Sequence, residues 1–213
     1  MSLTKKAAKK AAPKKSTPDS SSKNTNTGHT NGATESTGEA KGSLLEKFFT
    51  DQLKDIYYAE KQIIKALPKM EAACTTEELK EAFSDHEHQS NKHVKRLEKI
   101  FKIMGLPAQG EKCEAIEGII KECESIIADT PEGSMTRDAA LIMAAQKVEH
   151  YEIATYGGLV QLAITIGQKE VADLLDDTLE EEEQTDLLLT DIAEGHINME
   201  AEEEEGYSSR KIS

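Results

Sequence analysis

Ala144-Ala145-Gln146-Lys147-Val148-Glu149-His150-Tyr151-Glu152-Ile153-Ala154 lies inside a long segment of apolar periodicity, far from any helix end. On a helix, Glu149 and Glu152 are three apart and share a face one turn apart. Ala145, Tyr156 and Leu159 continue that face and read as core positions. Two carboxylates on a core face cost free energy unless something compensates them. A metal ion is the simplest compensation inside a helix bundle, and carboxylates at this spacing are how such bundles hold one. The rest of the chain must then supply further helices, each with a polar interruption on an apolar stripe.

The composition agrees with an all-helical protein. Aromatic residues are only 4%, charged residues reach 31%, and Trp is absent from the 213 residues. Beyond residue 20 the only prolines are Pro68, Pro107 and Pro131. No apolar run is long enough to span a membrane, and no apolar signal core opens the chain, so a cytoplasmic protein with no membrane role is expected. Cys74, Cys113 and Cys123 show no metal-knuckle spacing and are expected as reduced thiols. Charge is unevenly placed. Residues 1–42 carry a net +5, which leaves −19 of the overall −14 on residues 43–213.

Residues 1–42 are too poor in apolar side chains to offset the entropy of ordering and read as a disordered basic tail. Its Lys5, Lys6, Lys9, Lys10, Lys14 and Lys15 offer a loose grip on nucleic acid, or serve only as a solubilising tail. The body, 43–200, reads as four long helices. Ser43 and Glu46 form a capping box for the first, which runs to about Ala73 with Pro68 inside it. Its stripe of Leu45, Phe49, Leu53, Ile56, Ile63 and Leu67 is interrupted by Glu60. Thr76 caps a second helix to about Met104, whose stripe of Leu79, Phe83, Leu97 and Ile100 is interrupted by His86, Ser90 and His93, with Gln89 between the histidines. His88 faces away, toward water.

Gly105-Leu106-Pro107 stops that helix. Residues 111–128 form a shorter helix, read as a crossover lying on the bundle, with Cys113, Ile116, Ile119, Ile120, Cys123, Ile126 and Ile127 inward. The third long helix runs from about Thr136 to Ile166. Gly157 and Gly158 weaken it, and close packing against a neighbour would account for them. The fourth runs from Gln168 to about Met199, with Glu182 and Asp186 interrupting Val171, Leu174, Leu175, Leu179, Leu189 and Ile192. Most of the acid run Glu180 to Glu183 must face solvent. Residues 201–213 read as an acidic, solvated tail.

Four long helices, two and two, joined by a long connection containing a short helix, make an all-α, ferritin-like four-helix bundle. Each long helix offers a polar group at a core position: Glu60; His86, Gln89 and His93; Glu149 and Glu152; Glu182 and Asp186. Oxygen-rich ligands with some imidazole suit iron or manganese better than zinc. The alternative is a bundle whose polar core residues bond one another.

The segments Asp51 to Gln62, Ala66 to Met70, Ala145 to Gly157 and Thr178 to Asp186 resemble the YciE/YciF-type ferritin-like family, small bacterial proteins associated with stress responses. The resemblance covers about residues 43–200, and Val-Glu-His-Tyr-Glu-Ile-Ala at 148–154 is its most specific block. It implies a rubrerythrin-like bundle, usually dimeric, with a dinuclear metal site. One departure stands out. Where the family's second helix reads His-Leu-x-Glu-Thr, this chain reads His86-Glu87-His88-Gln89-Ser90, so a neutral amide replaces a carboxylate. One, two or no bound ions remain open on that ground, and His93, on the same face, is the residue that compensates.

Two functions follow as expectations. The first is an oxidant-scavenging centre of iron or manganese, with Tyr57 or Tyr156 hydrogen-bonded behind the ligands. The second is a non-enzymatic helical scaffold or DNA-associated stress protein that uses the basic tail.

Overall fold

The computed structural model describes residues 42–204, so the Lys-rich segment lies outside the described residues. Helix α1 spans Leu44–Ala73, α2 Glu77–Ile103, α3 Glu114–Asp129, α4 Met135–Thr165 and α5 Lys169–Ile192. A π-helical turn, Ala193–Ile197, joins α5 to a short α6, Asn198–Glu203. No strand occurs among the described residues.

The helix ends follow local chemistry. Ser43 accepts from the Glu46 amide, and the Glu46 side chain returns to the Ser43 amide, so the capping box is formed. Pro68 lies within α1, which runs through it. Thr76 does not cap α2 with its own side chain. The buried carboxylate of Asp138, at the start of α4, does so instead. It accepts from the amides of Thr75 and Thr76 at 2.7 and 2.8 Å and from the Thr76 hydroxyl at 2.8 Å. Gly105 ends α2 with φ +68°, a left-handed conformation that glycine adopts freely.

The same clamp fixes topology. It puts the first turn of α4 beside the first turn of α2, so those two helices run parallel. The three-residue turn 74–76 makes α1 antiparallel to α2, and the turn 166–168 makes α5 antiparallel to α4. The helices form a ring in the order α1, α2, α5, α4, and α3 lies across α1 and α4. This is the expected four-helix bundle with a crossover helix. The crossover is shallower than expected: Cys113, Ile116 and Cys123 are buried, whereas Ile119, Ile120, Ile126 and Ile127 are only partly covered.

Three further expectations need correction. Residues 168–199 are not one uninterrupted α-helix, because the hydrogen-bond register slips by one residue at the π turn. The 201–213 segment is not wholly a solvated tail. Glu204 accepts from the Met135 and Thr136 amides and the Thr136 hydroxyl, and so caps α4. Close packing does not account for the glycine pair. A Cβ at Gly158 would meet nothing within 4 Å, and one at Gly157 only Leu179 at 3.9 Å.

Candidate metal centre

Each of the four long helices turns at least one ionisable residue into the bundle axis. Glu60 comes from α1, His86 and His93 from α2, Glu149 and Glu152 from α4, and Glu182 from α5; all are at most 2% exposed. The spacing explains the placement. His86 and His93 are two turns apart on the buried line of Leu79, Phe83, Ser90 and Leu97. Glu149 and Glu152 are one turn apart on the line of Ala145, Tyr156 and Leu159.

These side chains form two overlapping groups. In the first, His86, Glu149, Glu152 and Glu182 bring one ligand atom each to within 4.8 Å of one another. In the second, Glu60, His93 and Glu182 do the same. Glu182 belongs to both, so its two oxygens lie between the groups. His86 Nδ1 is 3.2 Å from Glu149 Oε1, and its Nε2 is 3.7 Å from Glu182 Oε2 and 4.0 Å from Glu152 Oε2. His93 Nδ1 is 2.9 Å from Glu182 Oε1 and 3.3 Å from Glu60 Oε1.

Proximity here does not amount to satisfaction. Among the described residues, the buried side-chain polar atoms lacking a hydrogen-bond partner all lie in this cluster or at Ser90 beside it. They include both oxygens of Glu149, Glu152 and Glu182, Glu60 Oε2, His86 Nε2 and His93 Nδ1. Each such buried group costs about 1–3 kcal/mol, more when charged. A core assembled to bond its own polar groups would not leave them concentrated in one place. The donors fit a cation: carboxylate oxygens and imidazole nitrogens converge, with only Glu60 Oε1 and His93 Nε2 bonded outward, to Tyr156 and Glu181.

Burial and mutual repulsion set the protonation. Burial raises Glu149 and Glu152 well above the usual carboxylate range, and the charges of Glu182 and Glu60 add to the effect. Glu182 is raised by burial as well, opposed by its contact with His93. Burial, helped by repulsion from His93, pushes His86 down to about 3, so its ring is neutral and keeps a lone pair for a ligand. His93 goes the other way. Burial works against its charge, but Glu182 and Glu60 outweigh burial and lift it to about 10. In the metal-free protein, the cationic ring thus neutralises part of the carboxylate charge.

The groups behind these residues are ordered. Tyr156, fully buried, donates its hydroxyl to Glu60 Oε1. His93 Nε2 is 2.7 Å from Glu181 Oε2, and Arg96 holds Glu181 with two nitrogens at 3.0 and 3.2 Å and also donates to Thr178. A carboxylate behind a histidine fixes the ring's orientation, a common arrangement behind metal ligands.

Three expected site residues lie elsewhere. Gln89 is on the flank of α2, where its Oε1 accepts from the Thr185 hydroxyl at 3.1 Å. Asp186 is half-buried beside the cluster and is bonded to Gln146 at 3.3 Å and paired with His150 at 3.4 Å. Tyr57 is buried but sends its hydroxyl outward to Glu98 at 2.9 Å, with Lys61 over its ring. Neither Glu181 nor Arg96 was anticipated. The signal available was Arg96 three residues after His93, on the same side of α2 and opposite the acid run of α5. Lys5, Lys6, Lys9, Lys10, Lys14 and Lys15 lie outside the described residues.

Fold and site together define an all-α, ferritin-like four-helix bundle with a buried carboxylate–histidine cluster able to hold a metal ion. Comparison with known proteins places it more closely. Residues 44–202 match the family described as a domain of unknown function, DUF892, and the chain belongs to that family, of the YciF type. Protein YciF of Escherichia coli K12 is 44% identical over 159 residues, covering 74% of this chain and 95% of that protein. The crystal structure of the E. coli stress protein YciF superposes with a TM-score of 0.70 at 42% identity, over 74% of this chain and 99% of that one. YcfI of Rhodopseudomonas palustris gives a TM-score of 0.68 at 36% identity, over 72% of this chain and 97% of that one.

Proposed function

We propose that this protein is a stress-associated ferritin-like protein whose bundle core holds a dinuclear iron or manganese centre that removes oxidants. The observation that carries this is the cluster of partnerless buried carboxylates and imidazoles. Four carboxylates and two imidazoles are available. That is the ligand inventory ferritin-like bundles use for two ions, although those bundles place one Glu-x-x-His pair on each of two helices. Here α4 carries Glu-x-x-Glu and α2 carries both histidines, so the inventory is complete without Gln89. Two divalent ions balance four carboxylate charges, and oxygen-rich donors favour iron or manganese over zinc.

The first group, His86, Glu149, Glu152 and Glu182, would hold one ion, and Glu60, His93 and Glu182 the other. Such ions, when bound, supply one-electron chemistry toward oxygen or peroxide. The chain's own residues do the rest. Glu182 bridges the groups, Glu181 and Arg96 orient His93, and Tyr156 holds Glu60 while keeping a proton beside it. The apolar bundle around them excludes bulk water. E. coli YciF is described as a stress protein, which agrees with this role. Elemental analysis after anaerobic iron or manganese loading tests the reading. About two ions per chain, lost in Glu149→Ala, together with metal-dependent consumption of peroxide or oxygen, support it. Loading that never exceeds a mutant lacking all four carboxylates removes it.

Two further expectations stay within this proposal. Phe48, half exposed on α1, opens on a groove lined by Gln52, Thr155, Gly158 and Leu162, an apolar face that suits a second copy of the chain. Phe48→Glu should then convert a dimer to a monomer in light scattering. The charge split of +5 on residues 1–42 against −19 on the remainder supports a second role, tail-mediated contact with nucleic acid. Binding that is lost above moderate salt and in a chain starting at Ser43 supports it; no shift at low salt removes it.

A further inference from the structure

The outer face of α2 carries a charge opposite to that of the body it belongs to. Residues 43–213 hold a net −19, yet from His88 to Met104 the only carboxylate is Glu98, against Lys92, Lys95, Arg96, Lys99 and Lys102. Glu98 accepts from the Tyr57 hydroxyl, and Arg96 is held by Glu181. The four lysines are exposed. Their steps of three, four and three residues keep them on one edge of the helix, about 15 Å long. Lys99 reaches Glu170 at 3.8 Å, and among the described residues no ion pair engages Lys92, Lys95 or Lys102.

The complementary pattern stands on α5. From Glu170 to Glu203 the chain has no lysine or arginine. Asp173, Asp176, Glu180 and Glu183 are exposed and repeat the steps of three, four and three, so they too share one edge. Asp173 is paired with Lys169 at 2.7 Å, and among the described residues Asp176, Glu180 and Glu183 are in no ion pair. The two edges do not meet within one chain, because α2 and α5 pack through other sides. There Arg96 bonds Thr178 and Glu181, and Gln89 bonds Thr185. Steps of three, four and three read the same in both directions, so the charges match whether two such helices cross parallel or antiparallel.

We infer that the α2 lysine edge is a docking surface for the α5 acid edge of a second copy of this chain. The contact uses a different surface on each partner, so it is head-to-tail and leaves one free edge of each sign at the ends of the assembly. Nucleic acid is the poorer occupant of the lysine edge. A phosphate strand lying there would run beside Asp177 and Glu181, which α5 holds next to Arg96. Exposed ion pairs contribute little each, so the association is weak and needs concentrated protein. Salt bounds it from both sides. In about 0.01 M salt the −14 of each chain repels the other over about 30 Å; in about 0.1 M that repulsion is screened beyond about 10 Å while pairs in contact survive; in about 1 M the pairs are screened as well. The contact is separate from the Phe48 face, whose apolar character is indifferent to salt, and it owes nothing to the metal cluster.

The test is sedimentation velocity of concentrated, full-length, chelator-treated protein in about 0.01, 0.1 and 1 M salt. Association should be greatest at the middle concentration. Reversing the α2 edge (Lys92→Glu, Lys95→Glu, Lys99→Glu and Lys102→Glu) should abolish that maximum, and so should reversing the four α5 acids to Lys. An equimolar mixture of the two variants should restore it, since each supplies the edge the other lacks. Both variants stay net negative, each reversal shifting the −14 by eight, so opposite net charge does not account for the restoration. All eight positions are exposed, where substitutions leave folding intact. Lys95→Glu alone, which should weaken the association several-fold, covers the case in which a multiple variant misfolds. Association unchanged by the α2 reversal would place the contact on the N-terminal lysines or another surface and overturns the inference. So does a mixture that fails to restore it, or an association that only grows with salt.

Discussion

If the cluster is built for cations, the metal-free protein must be strained by its own charges, and that strain depends on pH. Glu149 and Glu152 have folded-state pKa values raised well above 4.5 by burial and by neighbouring carboxylates. The folded protein therefore holds protons that the unfolded chain has released, and stability falls as pH rises above about 4.5. His93, raised to about 10, adds a contribution that is complete below 6.5 and is lost between 6.5 and 10. His86, lowered to about 3, acts oppositely, but its contribution is fully present above 6.5 and leaves no slope there. Between pH 6.5 and 8 all remaining slopes therefore share one sign. Each group contributes at most about 1.4 kcal/mol per pH unit, or about 2 kcal/mol over this window. For a chain of this size, that is a fall of about 4–8 °C in Tm per group. Glu149→Gln keeps the shape and removes one titrating group, so its chelator-treated Tm should fall less steeply. Calorimetry of both proteins at pH 6.5, 7.2 and 8.0, in excess chelator, measures this. A wild-type Tm that is flat or rises over the window, or a Glu149→Gln slope equal to wild type, would refute the protonation scheme.

Two perturbations probe the scaffold. Asp138→Ala strips the acceptor from Thr75, Thr76 and the Thr76 hydroxyl and should cost about 2–4 kcal/mol in urea unfolding; Asp138→Asn should recover part of that. Gly118→Ala adds a Cβ with nothing within 4 Å inside α3 and should stabilise by about 0.5–1 kcal/mol in the same unfolding assay.

The residues that declared themselves in the sequence did so by breaking an apolar stripe. Glu60, His86, His93, Glu149, Glu152 and Glu182 each stand where a 3.6-residue period calls for an apolar side chain, and all six reach the bundle axis. The errors came from the flanks of those stripes. On α5 the buried line is Thr178, Glu182, Thr185 and Leu189. Asp186, four residues after Glu182, has rotated off that line toward Gln146 and His150. On α2, Gln89 is displaced in the same way while Ser90 takes the inner position. Periodicity locates a face to within about a side chain, and only helix–helix packing decides which flank is closed. That Gln89 is an amide matters less than the sequence suggests, because His93 occupies the place at the cluster that Gln89 does not.

Contacts between distant elements left no local signature. Glu181 meets His93 and Arg96 across the bundle, and Glu204 caps α4 from the far end of the chain. Both sit in acid runs that read as solvent-facing, since charge alone does not show which member of a run finds a partner. The π turn at Ala193–Ile197 is equally silent, although it re-aims the last helix so that Glu204 reaches Met135 and Thr136.

The central claim is that the polar core is a metal centre and not merely a buried network. Anomalous scattering from metal-loaded crystals, recorded above and below the iron and manganese edges, tests it most directly. The account predicts two peaks, one among His86, Glu149, Glu152 and Glu182 and one among Glu60, His93 and Glu182. An ordered bundle with no peak at either edge, its carboxylates bonded only to water or to one another, would contradict it.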